Sequence, residues 1–228
     1  MAPSPGASEP SASGHQAASA RPVSFTVWSD FLCPWCYVAA LRLADVKREA
    51  GAALRVEWRS FLLRPSAEPR PLDRFRQYTT SWLRPAEAEP SAEFHVWDTD
   101  TPPPSHSRPP AIAGKAAASF GPDTFDRFHL ALMRAYFVDN RTVSERAVIL
   151  DVAAAVELDT DEFAARLDAH GDEYEAAVVD DHKAALAQGI AAVPTVLVET
   201  EGAIDGEHVL SGAMTTEQYL KVVARLGS

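Results

Sequence analysis

Residues 30–37 read Asp30-Phe31-Leu32-Cys33-Pro34-Trp35-Cys36-Tyr37 and hold both cysteines of the chain. Before them, Val23, Phe25 and Val27 alternate with Ser24, Thr26 and Trp28, a strand pattern that breaks at Ser29-Asp30. After them, the spacing of Tyr37, Leu41, Ala44 and Val46, with charges on the other side, predicts a helix from Cys33 to about Ala50. Pro34 suits its opening turn, where no N–H is missed, and Gly51 marks its end. Residues three apart in a first helical turn have α-carbons about 5 to 5.5 Å apart, within the reach of a disulfide. A helix N-terminus also favours an anion, so Cys33 is expected to ionise below the ordinary thiol value of about 8.5.

Three kinds of chemistry suit such a pair. A zinc half-site needs two more ligands, and with no further cysteine these have to come from seven histidines, none in an H-x3-5-H pair. Two cysteines can also pack as small hydrophobes. Dithiol chemistry is favoured by the context, a C-x-x-C that opens a helix directly after a strand. A purely structural disulfide is a poor reading, because a loop this small contributes little through chain entropy.

Outward from this centre, Leu54, Val56 and Trp58 alternate with Arg55, Glu57 and Arg59, a second strand. Strand, helix, strand implies a right-handed parallel crossover. From about Leu63 to Gln188 helical patterns replace strand patterns. Leu72 to Leu83, Ala86 to Trp97, Ala111 to Phe120 and Asp123 to Val138 are expected helices, with a Pro-rich loop from Asp98 to Pro110 that holds five of the 17 prolines. Thr142 with Glu145 and Asp159 with Glu162 read as helix starts, and a last helix is expected from Asp172 to Gln188. Strands return at Thr195 to Glu199 and Glu207 to Leu210, joined by a turn from Gly202 to Gly206. Thr215 with Gln218 caps a closing helix. Trp82 and Trp97 read as core residues.

The second informative stretch is Ala191-Ala192-Val193-Pro194-Thr195-Val196, where a proline immediately precedes a buried strand. Such a proline marks a strand's first residue or a cis bond. Together with the run from Ser29 to Tyr37 and the helical insertion, it resembles the thioredoxin superfamily. Within it, the chain is similar to DsbA-like proteins, especially FrnE-like members and their relatives, the 2-hydroxychromene-2-carboxylate isomerases and kappa-class glutathione transferases. The resemblance covers Val23 to Leu226 and implies an α/β thioredoxin fold: a four-stranded mixed sheet with a large all-helical insertion. It implies a thioredoxin-like domain from residues 23–62 and 189–228, an insertion domain at 63–188, and catalysis by Cys33 and Cys36. Cys33 would be the exposed attacking thiol and Cys36 the buried resolving one. Pro194 would be cis and face the disulfide, and the Val193 backbone would pair with substrate beside Pro34 and Trp35. The chain departs from the pattern at Val27, where thioredoxins keep a carboxylate. It has no glycine two residues before Pro194, and it carries cysteine at position 33, where the isomerases and transferases usually have serine. Asp30 is expected to cap the turn.

The net charge of −11, without a basic run, argues against nucleic acid or an anionic membrane surface as partner, and no apolar stretch is long enough to span a bilayer. Residues 1–22 contain 17 Ala, Ser, Pro or Gly and read as a disordered tail without the apolar core of a secretory signal, so a cytoplasmic protein is expected. The leading expectation is a thiol-disulfide oxidoreductase that acts on disulfide- or thiol-containing proteins or small molecules, as a monomer or homodimer. No metal or resident cofactor is expected, and glutathione could serve as co-substrate. The alternatives are a glutathione-dependent isomerase or transferase and a non-catalytic binding protein.

Overall fold

The computed structural model describes residues 22–200 and 208–227; the tail, apart from Pro22, and the turn from Gly202 to Gly206 lie outside them. Strand β1 (Val23–Ser29) pairs in parallel with β2 (Leu54–Ser60), and helix α1 (Pro34–Ala50) makes the crossover. On its other side β1 runs antiparallel to β3 (Thr195–Thr200), which pairs with β4 (His208–Ser211) in a hairpin. The order β2-β1-β3-β4 is a four-stranded mixed sheet. The strand alternation has a direct consequence. Val23, Phe25 and Val27 bury one face together with Val196 and Val198, against Leu43 and Val46 of α1 and Tyr219 and Val223 of α8 (Thr216–Leu226). Trp28 and Leu197 point the other way, against Ala185 and Ile190.

Between β2 and β3 lie α2 (Leu72–Thr79), α3 (Leu83–Ala88), α4 (Arg108–Ala118), α5 (Pro122–Phe137), α6 (Arg146–Ala155) and α7 (Thr160–Ala187). Their core is aromatic: Trp82 packs edge-on against Tyr136 and Phe137, and Tyr37 of α1 stacks on Phe137 at 5.4 Å. Cys33 and Cys36 belong to this same core cluster, so the cysteine helix is shared between sheet and insertion. Arg42 reinforces the junction from a buried position. Its Nε donates to Glu89 at 2.7 Å, and its other nitrogens donate to the carbonyls of Ala88 and Ala213 at 2.6 and 2.9 Å.

Three expectations about the insertion fail, each for an identifiable physical reason. The helix expected from Ala86 to Trp97 stops at Ala88, because Glu89 precedes Pro90 and is forced into an extended conformation (φ −141°, ψ 94°). Thr142 caps no helix: its hydroxyl donates to the Pro102 carbonyl, and α6 starts only after Glu145. The separate helices expected near Asp159 and Asp172 are one helix, α7, because Gly171 lacks a side chain but imposes no break. Asp159 does cap α7, accepting from the Glu162 N–H at 3.0 Å, and Thr215 with Gln218 forms the full capping box of α8.

Candidate active site

At the end of β1 the chain turns through Asp30, which is only 2% exposed. One carboxylate oxygen accepts the Leu32 N–H at 2.6 Å and the other accepts the Leu63 N–H at 2.7 Å. The Cys33 N–H donates to the Asp30 carbonyl at 3.1 Å. Asp30 thus shapes the cysteine turn, as its short polar side chain suggests, and also ties that turn to the first residues of the insertion. The second bond has no signature in sequence, because Leu63 is 33 residues away.

Cys33 occupies the N-cap position of α1 in an extended conformation (φ −94°, ψ 117°), and its carbonyl accepts from the N–H groups of Cys36 and Tyr37. Pro34 fills the first turn. Both thiols are free. Across the groove the Val193–Pro194 peptide is cis, and the Cys33 thiol donates to the Val193 carbonyl at 3.5 Å. Cys33, Pro34, Cys36, Val193 and Pro194 are therefore assembled around one point from segments 160 positions apart. Trp35, 37% exposed, stands out from this point on the surface.

One expectation needs correction. Cys33 is not an exposed thiol: the residue is 5% accessible, since it sits beneath the Val193 turn and joins the insertion core. Pro194 is also buried, with its carbonyl taken by the Gly212 N–H at 2.9 Å, so Val193, half-buried, offers the more accessible backbone. Cys36 is fully buried, and burial in the first place, then the neighbouring Cys33 thiol, pushes its thiol well above the ordinary range. Cys36 is thus held protonated at neutral pH.

Burial also raises the Asp30 carboxyl above its usual 3.8, outweighing the lowering effect of Ser107 and of the Leu32 and Leu63 N–H groups. Between 3.8 and that higher value the folded chain binds more protons than the unfolded one, so this group makes stability fall as pH rises. Urea unfolding from pH 4 upwards should show this slope in the wild type and a flatter one in Asp30→Asn. An unchanged slope in the variant would assign the pH dependence elsewhere.

Among the described residues no three His, Cys, Asp or Glu side chains converge to hold a metal ion, and no described helix is long and apolar enough to cross a membrane.

The family model described as DSBA-like thioredoxin domain matches residues 25–224. The chain belongs to this family. It is similar in structure to the cytosolic disulfide reductase DsbM from Pseudomonas aeruginosa, at 25% identity and a TM-score of 0.69 over 89% of this chain and 94% of that one; DsbM is also known with GSH. A protein from Nitrosomonas europaea, described as a putative protein disulfide isomerase, superimposes with a TM-score of 0.75 over 90% and 96% of the two chains, at 16% identity. In sequence, the uncharacterized Bacillus subtilis protein YwbO is 24% identical, covering 89% of this chain and 96% of its own. Membership of the DSBA-like family accounts for the mixed sheet and for the helical insertion between its second and third strands.

Proposed function

We propose that the protein is a dithiol-disulfide oxidoreductase of the DsbA type, with Cys33 as nucleophile and Cys36 as resolving thiol. The observation that carries this reading is the thiol of Cys33 at the helix N-cap, 3.5 Å from the Val193 carbonyl, with Cys36 buried behind it. Cys33, as thiolate, attacks one sulfur of a substrate disulfide; a mixed disulfide forms and the other substrate sulfur leaves as a thiolate. Cys36 then passes its proton to the substrate thiolate released in the first step and attacks the Cys33 sulfur. The substrate's second thiolate is released, two electrons pass to the substrate, and the Cys33–Cys36 disulfide remains. Two molecules of glutathione return the pair to the dithiol by the reverse steps and become glutathione disulfide. Pro34, Trp35 and Val193 form the surface on which substrate lies, with Val193 supplying backbone groups and the buried Pro194 fixing the Val193 turn beneath the substrate.

Likeness to the reductase DsbM supports the reductive direction, a cytoplasmic location and glutathione as the partner thiol. The test is equilibration of the full-length protein with graded mixtures of reduced and oxidised glutathione, followed by acid trapping, alkylation and mass measurement. The expected result is a two-electron transition between dithiol and intramolecular disulfide. A pair that stays as dithiol or as glutathione adducts over the whole range overturns the proposal.

A further inference from the structure

Strands β1 and β2 are parallel, so α1, which joins them, runs back along the sheet and sets its first turn over the end of β1. That end is Ser29, still in register with β2 opposite Ser60. Side chains alternate along a strand, so Ser29 extends the row of Val23, Phe25 and Val27, which packs against Leu43 and Val46 of α1. Along α1, Cys36, Ala40 and Leu43 share one buried face, with Cys36 first in line. The Ser29 side chain and Cys36 thus stand at the same end of one interface.

The Ser29 hydroxyl is enclosed and has no hydrogen-bond partner among the described residues, while the Ser29 carbonyl is fixed by the Phe61 N–H at 2.8 Å. An enclosed hydroxyl without a partner lowers stability, and alanine would fill the position without that cost. The cost is removed when an acceptor appears beside it. Cys36 becomes such an acceptor when it loses its proton, and the Ser29 hydroxyl, like the Asp30 backbone, favours that ionised form. The other titratable groups around Cys36 are Cys33 and Asp30 of the same turn and Tyr219 of α8. In the mixed disulfide Cys33 has no proton to lose. The Asp30 carboxylate is held by the Leu32 and Leu63 N–H groups, and burial pushes the Tyr219 phenol up to about 12.

We infer that Ser29 is a further residue of the exchange site, its hydroxyl donating to the Cys36 sulfur while the mixed disulfide is resolved. This role rests on the dithiol reading and deepens it. Once Cys36 has passed its proton to the released substrate thiolate, the Ser29 O–H donates to the bare sulfur. The sulfur's electron pair forms the bond to Cys33, the bond from Cys33 to the substrate breaks with its pair on the substrate sulfur, and Ser29 keeps its proton throughout. A bond made only in the charged state speeds the step and adds nothing to the resting protein.

The test mixes full-length reduced protein with oxidised glutathione from about pH 6 to about pH 11, quenches with acid, and times by mass the conversion of mixed disulfide to intramolecular disulfide. Ser29→Ala should raise the midpoint of the resolving rate by about one pH unit, a tenfold loss of thiolate at neutral pH. A more basic sulfur is the better nucleophile, so the neutral-pH rate should fall by only about threefold and the high-pH rate should not fall. A packing defect would instead slow the step at every pH. Ser29 borders a cavity of about 360 Å3 between β2 and helices α4 and α5, which leaves space for an added methyl. Ser29→Thr should therefore keep the wild-type midpoint and Ser29→Val should lose it, a comparison that decides alone should Ser29→Ala fail to fold. A wild-type midpoint in Ser29→Ala, or equal midpoints in the threonine and valine variants, overturns the inference. A wild type whose mixed disulfide never resolves overturns the dithiol reading itself, and the role of Ser29 with it.

Discussion

Cys33→Ser should abolish exchange with a disulfide substrate, with a loss of at least about a thousandfold, because the hydroxyl cannot form the mixed disulfide on which both electrons travel. Cys36→Ser should behave differently. With the nucleophile intact and the resolving thiol gone, the first step proceeds and the second stops, so a mixed disulfide to Cys33 should accumulate and be visible by mass under non-reducing conditions. Burial of Cys36 makes the two variants unequal: a fully enclosed, protonated thiol cannot substitute for Cys33 in the first attack. Turnover of a glutathione-dependent isomerisation or transfer that survives in Cys33→Ser would instead favour the isomerase or transferase reading, since serine can orient a glutathione thiol. Full disulfide exchange in that variant would remove the proposed mechanism.

The second large effect is on stability and comes from Asp181 of α7. Its carboxylate, almost enclosed, accepts the Ser60 N–H at 2.9 Å and the Lys115 ammonium at 2.5 Å and lies 3.4 Å from Arg59, while its backbone carbonyl accepts the Trp28 indole N–H at 3.3 Å. One residue thus holds α7 and α4 to the two neighbouring strands β1 and β2. Next to it, His182 accepts the Leu62 N–H at 3.2 Å. Asp181→Ala strands the Lys115 charge and a strand-end N–H, and we expect a loss of about 3 kcal/mol. With a urea slope of about 2 kcal/mol/M, the unfolding midpoint should drop by about 1.5 M. A drop of less than about 0.3 M would show that the helices are held to the sheet by apolar packing alone.

What could be read in advance follows the range of the forces concerned. The strands β1, β2 and β3 and helices α1 and α8 were legible because alternation and capping are local, and β1 to β2 follows from crossover geometry. The meeting of Cys33 with Val193 was legible only through family resemblance, since nothing local links positions 160 apart. Asp181, His182 and the second bond of Asp30 were invisible for the same reason: each acts on a backbone N–H about 30 to 120 residues away. Thr142 shows the converse. Its spacing to Glu145 fits a capping box, but a tertiary acceptor, the Pro102 carbonyl, takes the hydroxyl.

The division of the groove between two distant segments has a consequence for the timing of synthesis. Cys33 leaves the ribosome 160 residues ahead of Val193. At about 5 to 20 residues per second, that gap lasts roughly 8 to 30 seconds. Throughout it the nascent chain carries two thiols that can meet each other but has no wall to choose their partners. Reactivity is thus present early, while selectivity is a property of the finished chain.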